Sequence, residues 1–87
     1  MQNTQVVIRQ IIAKRLKLAR EKAGFSLPED FCKAYNFELV CYKKHEEGCL
    51  SMRASEMKQY CLALKISIVY LILGETSKKL KKDSRLH

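Results

Sequence analysis

Apolar residues recur along the first third of the chain at steps of three and four: Ile8, Ile11, Ile12, Leu16, Ala19 and Ala23. This period paints one stripe on a helix, so a long first helix is expected from residue 5 to a stop at Gly24. Arg9, Lys14, Lys17 and Lys22 are interleaved with the stripe. Arg20 falls on or beside it, where an arginine stem can lie over apolar surface with its head in water. Ser26, Pro28 and Glu29 read as the start of a second helix, with the serine as cap and the glutamate at the reciprocal capping-box position. Leu27, Phe31, Ala34 and Tyr35 make its expected buried stripe, Glu29, Asp30 and Lys33 face out, and it ends near Tyr35.

The stretch 36–48, NFELVCYKKHEEG, organises the remainder. Asn36 can take the left-handed backbone that ends a helix, Phe37 can turn a ring back to the core, and Glu38 stands where the next helix opens. In that third helix Cys41, Tyr42 and His45 share a buried face. Leu39, Val40, Lys43 and Lys44 fall largely on another. Gly48 is the stop. After a linker at 49–51, Ser51 or Ser55 can cap a fourth helix whose inner face is Met57, Tyr60, Cys61 and Leu64, closed by Lys65. Ser67 caps a short fifth, 68–73, with Ile66 placed to staple onto Leu71 and Gly74 as its end. The fifth helix is apolar almost all round, and so small a domain cannot hide all of it. Ile68, Val69 and Ile72 are therefore expected to be covered by a second copy of the chain. The pattern predicts an all-α domain over 5–75.

Composition adds a partner class. The chain has 87 residues, room for one small domain, and its formal charge of +8 comes from 17 Lys and Arg against 9 Asp and Glu. A polyanion is the natural partner of such a balance. From Thr76 the sequence shifts to SKKLKKDSRLH, read as a flexible basic tail at 76–87 that could track phosphates. The longest apolar run, 66–73, is too short to cross a bilayer and no cleavable signal opens the chain, so a cytoplasmic, nucleoid-associated protein is expected.

Cys32, Cys41, Cys49 and Cys61 lie nine, eight and twelve residues apart without a C-x-x-C pair, and read as reduced, small core residues. Cys41, His45 and Cys49 do step by four, but Gly48 is expected to break the helix before Cys49, so no metal centre is expected. His45 has no evident acid or nucleophile beside it. Neither catalytic residues nor a cofactor are expected.

Three segments carry a resemblance: RLKLAREKAGFS, NFELVCYKKHEEG and YCLALKISIVYLILGE. From about residue 12 to residue 75 the chain resembles the lambda-repressor-like helix-turn-helix family, the phage repressor and Cro group also called XRE. The resemblance implies a compact five-helix DNA-binding domain in which Arg20 pairs with Glu46 of the E-x-G stop. It also implies that the opening of the third helix, Glu38, Leu39 and Val40, with Lys43 and Lys44 one turn on, meets the major groove of double-stranded DNA. Arg53 and Lys33 would add backbone contacts.

The sequence departs from the family where Ser or Thr and then Gln, Arg or Ser are common, offering Glu38 and two hydrocarbons that can pack only on thymine methyl groups. Leu27 replaces a frequent Gln, the second helix carries one extra residue, and the loop after Gly48 lacks a basic cluster. The expected function is a repressor-like, sequence-specific transcriptional regulator acting as a homodimer. Two other readings share the fold: the antitoxin and autoregulator of a toxin-antitoxin pair, and a protein-interaction or dimerisation module without DNA affinity.

Overall fold

The run TQVVIRQIIAKRLKLAREK has neither glycine nor proline and forms α1, Thr4–Lys22, with Arg20 and Lys22 in its last turn beside the negative end of the helix dipole. Four shorter helices follow in this computed structural model, which describes residues 4–74: α2, Pro28–Tyr35; α3, Leu39–Glu47; α4, Ala54–Leu64; and α5, Ile68–Leu73. The described residues contain no strand and are all-α, as the periodicity predicts. The tail at 76–87 lies outside the described residues. No helix among them is long and apolar enough to cross a membrane.

The core forms where α1 packs on α3 and α5, with α2 set against α3 and α4 against α5. Leu16, Phe31, Tyr42 and Leu71 are completely enclosed, one from each of α1, α2, α3 and α5. Tyr42 stands between Phe31 and Tyr60, with ring centroids 5.2 Å from each. Such tilted and edge-on aromatic pairs add to what their buried area alone contributes.

Several boundaries fall where expected. Asn36 and Lys65 take left-handed backbone at the ends of α2 and α4, with φ of 60° and 59°. The Ser67 hydroxyl accepts from the Tyr70 amide at 2.9 Å, as its position before α5 predicts. Ile66 packs against the cluster that contains Leu71, in keeping with a staple.

Other expectations are corrected. Ser26 does not cap α2: Leu27 holds the cap position, has no side-chain acceptor and is 54% exposed. Of the stripe drawn for α2 only Phe31 is buried. Cys32 goes in beside it, whereas Ala34 and Tyr35 are exposed. Cys32 stands about 100° round the helix from Phe31, so the covered side of this two-turn helix runs from Phe31 toward Cys32 and away from the three- and four-residue steps that lead to Ala34 and Tyr35. Tyr35 still holds Phe25 and Phe31 at 6.0 and 5.4 Å between centroids, at the rim of the cluster.

Neither Ser51 nor Ser55 starts α4. The Glu56 carboxylate reaches back to accept from the Arg53 amide at 2.7 Å, the reciprocal half of a capping box. Ile8, Ile11 and Ala23 lie in the apolar period of α1 yet are exposed, since α1 buries only Ile12, Ala13, Leu16, Ala19 and Arg20.

Two arginines of α1 close the ends of other helices. Arg9 donates from Nε to the Gly48 carbonyl at 2.9 Å and from Nη1 to the Ser51 hydroxyl at 3.3 Å. Arg15 Nη1 donates to the carbonyls of Leu71 and Ile72, at 3.2 and 2.8 Å, which the last turn of α5 leaves without intrahelical partners. Gly48 fits beneath α1 because it has no side chain. Its φ is +77°, and a Cβ there would stand 3.0 Å from Gln10 Cγ and 3.3 Å from Gln10 Cα. Gly48→Ala is expected to lower stability by about 1–2 kcal/mol from left-handed backbone alone, and by more where Gln10 cannot give way, as read by urea denaturation.

Candidate nucleic-acid interface

The geometry of α3 begins with the turn before it. At Asn36, φ 60° and ψ 43°, the chain leaves α2, and the Asn36 and Phe37 amides both donate to the Cys32 carbonyl. Phe37 is half-buried, its ring edge-on to Tyr60 at 5.0 Å. Glu38 then caps α3, its two carboxylate oxygens accepting from the Cys41 amide at 2.8 Å and the Val40 amide at 3.3 Å. A carboxylate at a helix N-terminus satisfies free amides and meets the positive end of the dipole.

One ion pair fixes the rotation of α3. Arg20, 2% exposed, donates from Nε to Glu46 Oε2 at 2.7 Å and from Nη2 to Oε1 at 3.0 Å, a two-pronged bond between α1 and α3. Its Nη1 donates to the Phe25 carbonyl at 2.6 Å, and the Tyr42 hydroxyl donates to Glu46 Oε2. The hydrogen bond with Glu46 holds the Arg20 guanidinium above its ordinary pKa, against the opposing pull of burial. Burial likewise pushes the Tyr42 phenol up. The expected Arg20–Glu46 pairing is therefore present, and the arginine head is enclosed rather than in water.

With that face turned in, the opposite one is open. Lys43 and Lys44 are exposed, and Val40 is 59% exposed. Leu39 departs from expectation: it is half-buried and packs against the core cluster, so Val40 is the hydrocarbon that α3 offers to solvent. Glu38 is exposed, but its carboxylate is occupied by its own helix. Lys33 on α2 and Arg53 at the cap of α4 are both exposed, one before and one after α3 in the chain. On α5, Ile68, Val69 and Ile72 are each between a third and two-fifths exposed.

The inner face of α3 holds more polar chemistry than its sequence suggests. His45 is completely buried, its Nδ1 2.8 Å from the Tyr60 hydroxyl. Its Nε2 faces Glu56 Oε1 at 3.6 Å and Cys41 Sγ at 3.9 Å. Burial holds the imidazole below its ordinary pKa, against the opposing pull of the Glu56 carboxylate. Sequence reasoning missed Tyr60 and Glu56 as partners of His45, although a Glu three residues after Arg53 is a visible capping signal.

The four cysteines are all free, but they are not all core residues: Cys32 and Cys61 are buried, Cys41 is half-buried and Cys49 is exposed beyond Gly48. Burial pushes the Cys32 thiol up to about 11, with the Glu46, Glu38 and Glu29 carboxylates adding to it, which leaves a packing residue rather than a nucleophile. No protein-family model matches this chain, and neither a curated protein nor a solved structure matches it.

Proposed function

We propose that this chain is a lambda-repressor-like, sequence-specific DNA-binding transcriptional regulator that places α3 in the major groove and acts as a repressor by occupying an operator. The observation that carries this reading is the outer face of α3. Lys43, Lys44 and Val40 stand exposed on a helix whose rotation is held from behind by the buried Arg20–Glu46 pair. A short helix, a left-handed turn at Asn36 and a second helix of nine residues supply the supersecondary unit that such recognition uses.

Lys43 and Lys44 meet phosphate or a guanine edge, and Val40 packs on a thymine methyl group. Lys33 and Arg53 supply backbone contacts. Glu38 and Leu39 support α3 from its first turn. The test is binding to a pool of random duplexes across a salt series, followed by selection of the bound sequences. Affinity that falls steeply with salt and enrichment of one motif are expected, and a flat salt response sinks the reading.

The α5 face supports a homodimer. Two copies joined through Ile68, Val69 and Ile72 would set their α3 helices on half-sites about 34 Å apart along one side of the duplex. Sedimentation of the full chain is expected to give a dimer, and a monomer at high micromolar concentration counts against this pairing. The antitoxin reading shares every residue named and differs only in a toxin partner. The protein-interaction reading is favoured by the first turn of α3, where the one charged side chain, Glu38, is committed to its own helix and the exposed residue is a valine.

A further inference from the structure

Cys41 and His45 lie one turn apart on α3, and Glu56 lies in the first turn of α4. The thiol, an imidazole nitrogen and a carboxylate oxygen of these three residues all fall within 4.8 Å of one another. We propose that Cys41, His45 and Glu56 form a binding site for a zinc-like divalent transition metal, one per chain, which clamps α3 to α4.

The distances support coordination better than hydrogen bonding. His45 Nε2 is enclosed, yet Cys41 Sγ stands at 3.9 Å and Glu56 Oε1 at 3.6 Å, loose for either bond. Tetrahedral zinc, with bonds of about 2.3 Å to sulfur and about 2.0–2.1 Å to nitrogen and oxygen, sets neighbouring ligand atoms about 3.3–3.6 Å apart. His45 Nε2 is thus within a few tenths of an ångström of that spacing from each of the other two atoms, while Cys41 and Glu56, within 4.8 Å of one another, would draw together by up to about 1.3 Å on the metal. A thiolate, imidazole and carboxylate set suits zinc or cobalt better than magnesium or calcium, which take oxygen ligands.

The surroundings supply the rest of such a site. The tautomer that donates Nδ1–H to the Tyr60 hydroxyl leaves the lone pair of Nε2 directed at the other two ligands, the outer-sphere arrangement that fixes metal-bound histidines. The carboxylate has lone pairs enough to keep the Arg53 amide while binding a metal. Cys41, Glu56 and Tyr60 also line a cleft of about 210 Å³ together with Asn36, Phe37 and Gln59. That cleft opens the thiol and carboxylate edge of the site to an entering metal and to a water at the fourth position, while His45 itself is enclosed. Binding takes up the ion, releases the thiol proton to solvent and changes no oxidation state. Lys43 and Lys44 lie on the other face of α3 and stay free, so the site holds whether or not the chain binds DNA.

Cobalt titration of the full-length chain with its thiols reduced tests the assignment. One equivalent is expected to give a thiolate-to-cobalt charge-transfer band in the near ultraviolet and the intense visible bands of four-coordinate cobalt, both removed by zinc. Cys41→Ser is expected to abolish the charge-transfer band, and Cys49→Ser to keep it. Tyr60→Phe keeps the band with affinity about 10- to 100-fold weaker. No band in the unaltered chain overturns the proposal, as does a band that survives Cys41→Ser or vanishes with Cys49→Ser. Nitrogen NMR of the unaltered chain decides the matter even where a variant fails to fold: zinc must shift His45 Nε2, and an unmoved resonance overturns the site.

Discussion

Replacing Arg20 by methionine is expected to remove about 3–5 kcal/mol of folding stability, the usual cost of stripping one partner from an enclosed ion pair. The loss does not come from the attraction alone. Methionine can fill much of the space of the arginine stem, but the Glu46 carboxylate would be left with only the Tyr42 hydroxyl as a partner, and the Phe25 carbonyl would lose its donor. A domain of this size holds on the order of 5–15 kcal/mol in total, so the variant should sit near the edge of folding. At about 4–8 °C per kcal/mol, its thermal midpoint should fall by roughly 12–40 °C. The double variant Arg20→Met with Glu46→Leu should recover much of this, because it leaves no stranded charge. Thermal and urea unfolding of both variants check the claim. A cost below about 1 kcal/mol for the single change would show that the pair does not hold α3 in place.

Changing Lys43 and Lys44 together to alanine is expected to leave the fold intact and to weaken duplex binding severely. Both side chains are exposed, so their loss opens no cavity and strands no partner. Each phosphate contact contributes about 0.9 to the slope of log affinity against log salt, so losing two should flatten it by nearly 2. If one lysine reads a guanine, preference at that base pair relaxes as well. Unaltered binding at low salt would remove α3 from the interface and favour the protein-interaction reading.

Much of the architecture could be read from the chain because the signals were local. Asn36, Gly48, Lys65 and Gly74 end helices through backbone that their own neighbours dictate, and Ser67 caps α5 three residues from its donor. What could not be read was which side of a helix another helix would cover. Periodicity puts Ile8, Ile11 and Ile12 on one stripe, but only Ile12 is buried, while Ile8 and Ile11 stay 48% and 44% exposed. In α2 two turns are too few for a period to fix the inward direction, and the covered side takes in Cys32 where the period pointed to Ala34 and Tyr35.

The candidate interface divides the same way. Lys43 and Lys44 were placed outward by helical spacing alone, whereas the half-burial of Leu39 depends on packing against the core from elements outside α3. The grouping of His45 with Glu56 and Tyr60 depends on side chains of α4 reaching α3, and the linker between the two helices gives no sign of that meeting.

The guanidiniums of α1 carry a consequence for how the molecule's basicity should be weighed. Arg20 fastens α3 and the chain just after α1, Arg9 the exit from α3, and Arg15 the end of α5. Three of the 17 cations thus act as rivets, and the excess positive charge overstates what a passing polyanion can touch. A planar fork that binds two groups at once has no counterpart in an ammonium, so arginine and lysine are unequal here: lysines can face outward to a partner, while these arginines hold the body together.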